Sequence, residues 1–226
     1  MSDRVAVVAG AGGPLGHAVA VKLASSGFSV VGVDRNEDGL RELPDTIRRV
    51  PGDTTDPAVP KAVLEQVVAE VGPPEVLVNT IGTFVLGDAL SVTPDELRRL
   101  IDINVGAALW LTQAVVPHML QRGGGSLVHV SARPAAVPTA GMAAYSLSKA
   151  ALSHLVRVLD TELRPQGIRV NAVAPQLIDT PKNRSFLPPD ALAHAVTPEA
   201  VAELIVFLAS DASAPVSGAI LPAYGA

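Results

Sequence analysis

Short apolar runs alternate along the chain with amphipathic segments of helical length. The runs at 4–9, 29–33, 47–51, 76–79, 126–131 and 169–174, with a short one at 219–221, predict strands. Between them, 15–25, a stunted 37–43, 57–71, 142–163 and 198–209 predict helices. Over 57–71 the residues Val63, Leu64, Val67, Val68 and Val71 share one face. Thr93, with Glu96 three residues on, makes a capping box that opens a further helix, and the apolar helical pattern continues to about Gln121. Pro73-Pro74 and Gly82 bracket the fourth strand, and Gly123-Gly124-Gly125 turns the chain into the fifth. The strand runs are dense in Ala, Val and Leu rather than alternating, as parallel strands buried on both faces require. This pattern predicts right-handed βαβ units in an α/β, single-domain, doubly wound fold over 1–226, with a parallel sheet of about seven strands and helices on both faces. One irregular insertion, 181–196, carries prolines and is polar at its start; it reads as a short lid over a site at the strand ends.

Composition narrows the function. The chain of 226 residues carries 17 basic and 22 acidic side chains, a formal charge of −5. With 48% hydrophobic and 17% charged residues it is neither disordered nor supercharged. No basic stripe is available to displace counterions from a phosphate backbone, and 3% aromatics leave no stacking platform, so no nucleic-acid partner is expected. With no cysteine, disulfides, thiol catalysis and cysteine-based metal sites are excluded. His17, His118, His129, His154 and His194 are too scattered to suggest a metal, and each reads by default as a surface or hydrogen-bonded histidine. Mean hydropathy is +0.36, but the apolar opening Val5 to Ala11 is broken by glycines and too short to span a bilayer. A cytoplasmic protein without membrane association is expected.

The chemistry gathers in two motifs. Gly10-Ala11-Gly12-Gly13-Pro14-Leu15-Gly16 lies between the first strand and first helix, where backbone N–H groups and the helix dipole can hold a pyrophosphate. Asp34 ends the second strand, about 20 residues on, where a carboxylate can bond the adenosine ribose hydroxyls. It would repel a 2′-phosphate, so NAD is favoured over NADP, although Arg35 is adjacent. In Tyr145-Ser146-Leu147-Ser148-Lys149 a phenol and an ammonium stand four residues apart on one helix face. Such a pair can serve as a general acid–base, the cation lowering the phenol pKa from about 10 toward working pH.

With these motifs in order, the chain resembles the short-chain dehydrogenase/reductase family from Val5 to Gly225. The resemblance implies a Rossmann fold and an NAD(P)-dependent oxidoreductase acting on a small carbonyl or alcohol. It implies that Tyr145 donates a proton to the substrate oxygen, that Lys149 holds the nicotinamide ribose and lowers the tyrosine pKa, and that Asn104 anchors a relay water. Gly10, Gly13, Leu15 and Gly16 would contact the cofactor phosphates, and Asp34, Arg35, Asp53 and Thr54 the adenosine half. Asn79, Ile81 and Gly82, in the segment that loosely matches the family's Asn-Asn-Ala-Gly, would support the cofactor site. Pro175, Ile178 and Thr180 match the nicotinamide side. The helix bearing Asn104, with Leu109, Trp110 and Leu111, and the Tyr145 helix would pair with a second subunit in a homodimer or homotetramer.

The pattern departs from the family in three places. The family's serine, which bonds the substrate oxygen, falls at Ala132, and Ser131 lies one residue early. Alternation along a strand turns Ser131 away unless a bulge rotates it, so Ser131 or a backbone N–H is the available replacement donor. Pro14 stands for a loop glycine, and Gln176 follows Pro175 where glycine is usual. Two other readings therefore stay open: a dinucleotide-binding relative with weak or no redox activity, and a dehydratase, cyclase or epimerase using the Tyr145 phenol. Arg133 could meet an anionic substrate group or be a solvated loop residue, and Phe186 and Leu187 would give the lid an apolar side.

Overall fold

In the computed structural model, which describes residues 4–225, seven strands form one parallel sheet in the order β3-β2-β1-β4-β5-β6-β7. They are β1 Val5–Ala9, β2 Ser29–Asp34, β3 Arg48–Pro51, β4 Val76–Asn79, β5 Gly125–Val130, β6 Ile168–Pro175 and β7 Ile220–Ala223. Register is continuous through the centre: Val7 lies opposite Val31 on one side and Leu77 on the other, and Leu77 opposite Leu127. Every residue of β1 and β4 is buried, which explains their unbroken apolar runs.

The alternation of side chains divides the core into two layers. Ala6, Val8, Val78 and Val128 meet α1 (Pro14–Ser25) and α9 (Pro198–Ala209) through Val19, Leu23 and Ile205. Val5, Val7, Leu77 and Leu127 meet α3 (Val59–Glu70), α5 (Ala107–Arg122) and α6 (Ala143–Leu163) through Leu64, Val67, Val115, Met119 and Val156. A short α2 (Glu37–Arg41) caps the β2 end of the first layer through Leu40.

Two departures from the sequence pattern bear on function. The helix opened by the Thr93 capping box is continuous to Arg122, but between α4 (Pro94–Ile101) and α5 it relaxes into a π turn over Asp102–Gly106. Asn104 sits in this turn, fully buried. Such an insertion is a recurrent mark of functional sites. By length and composition the run Pro94–Arg122, at a hydropathy of 1.4, could cross a membrane; in this fold Leu111, Val115 and Met119 pack it onto the sheet. The insertion at 181–196 is not irregular: it forms α7 (Pro181–Phe186) and α8 (Pro189–Leu192), and a bridge between Ile178 and Val196 closes its base. The side chain of Phe186, expected on the lid, lies outside the described residues.

The sheet winds outward in both directions from between β1 and β4, so a crevice opens beyond their carboxyl ends. The turn leaving β1 is held tight. Gly10 has φ +86°, and a Cβ on Gly16 would lie 2.0 Å from the Gly10 carbonyl oxygen, so α1 starts directly against the turn.

Candidate active site

A cavity of about 420 Å³ lies over the crevice. Thr80, Gly82, Thr83 and Phe84 after β4 line one side, Ala132 and Pro134 after β5 the floor, and Pro175 to Ile178 with Thr180 and Lys182 the far side. From α6, Tyr145 and Lys149 enter it one turn apart. The Lys149 Nζ donates to the Val130 carbonyl at 2.8 Å, and complete burial pushes its pKa down to about 8.

Asn104 is fixed by the chain beside it. Its Oδ1 accepts from the Thr83 N–H at 2.8 Å, and its Nδ2 donates to the Thr83 carbonyl and the Ser148 Oγ, both at 2.9 Å. The Ser148 hydroxyl in turn donates to the Tyr145 carbonyl at 2.8 Å, which ties the π turn to the first turns of α6. A Cβ on Gly82 would lie 3.0 Å from the Lys149 Nζ and 3.1 Å from the Asn104 Oδ1. The Gly82 backbone is thus pressed between both side chains, with Lys149 and Tyr145 lining the cavity and Asn104 buried next to it.

The phenol behaves differently from the sequence expectation. Burial pushes the Tyr145 pKa up to about 12, with no lowering by Lys149. Desolvation wins because the ammonium is anchored to a carbonyl and is itself pushed toward neutrality. Phe84 packs edge-on to the Tyr145 ring, centroids 6.2 Å apart, and adds apolar cover.

Ser131 borders the cavity, but its hydroxyl is engaged by neighbouring groups. Ala132 is extended (φ −160°, ψ 156°) and Ser131 keeps the sheet register, its N–H bonding the Val173 carbonyl at 2.8 Å, so no bulge turns it inward. Its hydroxyl shares a 2.6 Å hydrogen bond with Ser153 and donates to the Lys149 carbonyl at 3.3 Å. Ser131 therefore pins α6 to β5 at the edge of the cavity, while Ala132, buried and also lining it, offers a methyl group. Arg133 is half-buried and does not line the cavity; its guanidinium lies 5.4 Å from the Tyr224 ring centroid.

The cleft toward β2 and β3 holds the remaining expected residues. The Asp34 Oδ2 accepts from the Gly12 N–H and its Oδ1 from the Asn36 N–H, each at 2.9 Å, fixing the carboxylate at the end of β2. Arg35 turns to Asp53 at 3.1 Å, and Asp53 also accepts from the Thr55 hydroxyl at 2.6 Å, which, ahead of Arg35, holds its carboxyl below the usual range. Thr54 is buried with its hydroxyl unpartnered. The Asn79 Oδ1 accepts from the Ile81 N–H at 3.0 Å and shapes the turn after β4. On the opposite wall, the Thr180 hydroxyl accepts from the Asn183 N–H at 3.2 Å and caps α7.

These residues fit a dinucleotide. The N-terminus of α1 has no side-chain cap, so its first N–H groups are available to an anion. A Cβ on Gly13 would meet only the Gly10 carbonyl, at 3.5 Å, so packing does not demand glycine there. An opening of about 430 Å³, lined by Gly12, Gly13, Pro14, Pro181 and Arg184 among others, lies between this turn and α7.

His129, on β5, contradicts its default reading. It is fully buried, neither ring nitrogen has a hydrogen-bond partner, and burial, then the Lys149 charge, pushes its pKa down to about 4. The folded state therefore binds fewer protons than the unfolded chain between about pH 4 and 6.5, and stability falls as pH drops through that window. Thermal unfolding from pH 7 to 4 is expected to show a shallower acid loss in His129→Asn than in wild type; equal slopes would contradict this.

A doubly wound parallel sheet that reverses beside a glycine turn, with a tyrosine–lysine pair over the crevice, defines a Rossmann-type oxidoreductase class. Within it, the short chain dehydrogenase family profile matches residues 4–190, and the chain belongs to that family. It is 33% identical to a 3-oxoacyl-acyl-carrier-protein reductase of Thermotoga maritima, covering 98% of this chain and 96% of that one. It is 31% identical to a 4-formylbenzenesulfonate dehydrogenase of Comamonas testosteroni, covering 100% and 98%. Among solved structures, 7α-hydroxysteroid dehydrogenase complexed with NADH and a 7-oxo bile acid superposes with a TM-score of 0.93 at 30% identity, covering 99% and 94%. An L-sorbose reductase from Gluconobacter frateurii, complexed with NADPH and L-sorbose, superposes at 0.91 and 28%, covering 100% and 96%.

Proposed function

We propose that the protein is an NAD(H)-dependent oxidoreductase that interconverts a secondary alcohol and a ketone, with Tyr145 as general acid–base. The observation that carries this reading is the entry of Tyr145 and Lys149 from α6 into one cavity, with Asn104 buried beside Lys149 against the Gly82 backbone. A bound nicotinamide dinucleotide supplies or accepts the hydride. Tyr145, protonated throughout the neutral range by burial, donates its proton to the carbonyl oxygen. Lys149 would orient the nicotinamide-side ribose. Asn104, locked by Thr83 and Ser148, holds the π turn in register with Tyr145. A cytoplasmic homodimer or homotetramer accords with the exposed Leu147 and Val158 on α6 and Leu120 on α5.

The fixed Asp34 carboxylate supports NAD over NADP, because a 2′-phosphate would meet a like charge while Arg35 is engaged by Asp53. Titration by nucleotide fluorescence is expected to give NADH at least about tenfold tighter binding than NADPH, the gap narrowing in Asp34→Ala. Equal or tighter NADPH binding would refute the preference. The methyl of Ala132 favours a second reading, a dinucleotide-binding relative with weak redox activity or a non-redox enzyme using the Tyr145 phenol.

A further inference from the structure

The cavity has an unusual charge inventory for a protein of net charge −5. Among the described residues no Asp or Glu lines it, and the two charged side chains that do are Lys149 and Lys182. The Lys149 ammonium is buried at the base and bonded to Val130. Lys182 extends from the lid helix α7, and its Nζ lies 5.5 Å from the Phe84 ring centroid. Among the described residues it has no carboxylate partner, whereas Arg184, two residues on, is paired with Asp179 at 2.6 Å. The remaining wall is largely apolar, with Leu86, Pro134, Met142, Leu177 and Leu187.

We propose that Lys182 recognises an anionic group on the substrate, so that the ligand is a carbonyl compound bearing a carboxylate or similar anion on an apolar body. The proposal rests on the oxidoreductase reading above and specifies its substrate class. A cation over an aromatic face at an exposed position is held weakly, so an incoming anion displaces that contact readily. A charge-assisted hydrogen bond to the anion then replaces it. The Phe84 ring contacts both groups, edge-on to Tyr145 and under the Lys182 ammonium. The anion would therefore lie at Lys182 and the reacting carbonyl at Tyr145, with the body of the ligand against Phe84 and the apolar walls. The same ammonium could instead meet the pyrophosphate of the dinucleotide, which shares the anionic chemistry, and the test separates the two.

The probes are 4-acetylbenzoate and its methyl ester, measured by isothermal titration calorimetry against wild type, Lys182→Gln and Lys182→Arg, with NADH titrated in parallel. Because binding is read directly, the result does not depend on turnover. The expected outcome is about fivefold to tenfold tighter binding of the acid than of the ester by wild type. That ratio falls toward one in Lys182→Gln and is restored in Lys182→Arg. Lys182 is exposed, and an unchanged unfolding midpoint checks that the variants fold. Equal binding of acid and ester by wild type, a ratio unchanged in Lys182→Gln, or no acid binding at about 10 mM overturns the proposal. Weaker NADH binding in Lys182→Gln with an unchanged acid-to-ester ratio assigns the lysine to the pyrophosphate and also overturns it. Lys182-dependent acid binding by a protein that, followed at 340 nm, oxidises NADH with no ketone of a panel upholds the anion site and overturns the oxidoreductase reading alone.

Discussion

Tyr145→Phe is expected to lower carbonyl reduction by about 10³-fold while dinucleotide binding changes far less. The substitution keeps the ring, its edge contact with Phe84 and its burial, and removes only the hydroxyl. The phenol pKa of about 12 gives the reaction a direction-dependent pH profile. Reduction needs the protonated phenol and stays flat on that group's account through the neutral range. Alcohol oxidation needs the phenolate and rises with pH toward about 12. Initial rates in both directions from pH 6 to 10 test this; an oxidation rate independent of pH in wild type would contradict the assignment of Tyr145 as the base.

Ala132→Ser is expected to raise turnover by about tenfold to 10²-fold. Removing a positioned donor to a developing oxyanion typically costs about 10²–10³ in rate, and restoring one in a site not otherwise tuned to it recovers part of that. The geometry favours the change: Ala132 is extended, buried and lines the cavity that holds Tyr145, so a serine hydroxyl enters from the Cβ already present. Ser131→Ala is the control, because its hydroxyl bonds Ser153 and the Lys149 carbonyl. It is expected to lower the unfolding midpoint without abolishing turnover. A loss of turnover in Ser131→Ala larger than the gain in Ala132→Ser would return the donor role to Ser131.

The parallel sheet and the helices on both its faces were legible in the sequence because the central strands are buried on both faces and each long helix keeps its own period. The glycine turn was legible for a local reason: Gly10 needs its positive φ and Gly16 lies against the Gly10 carbonyl within the same segment. The Tyr145 and Lys149 pair follows from helical spacing alone. What escaped depends on contacts between distant segments. Ser148 and Thr83 hold Asn104, Ser153 takes the Ser131 hydroxyl, and Lys182 faces Phe84 from the other side of the crevice. No periodicity announces such pairs. The phenol pKa escaped for an energetic reason: spacing places a cation near the tyrosine, but only the assembled fold reveals how much water both groups lose. Arg169, at the start of β6, likewise acts across the chain: it donates to the carbonyls of Leu208 and Ser210 and clasps β6 to the end of α9.

The most direct measurement is absorbance at 340 nm with NADH and a panel of ketones, comparing wild type, Ala132→Ser and Tyr145→Phe. Ketone-dependent loss of NADH in wild type, faster in Ala132→Ser and abolished in Tyr145→Phe, is the predicted result. A wild type silent on every ketone that Ala132→Ser reduces, or an activity that survives Tyr145→Phe, would contradict reduction at this cavity as the native function.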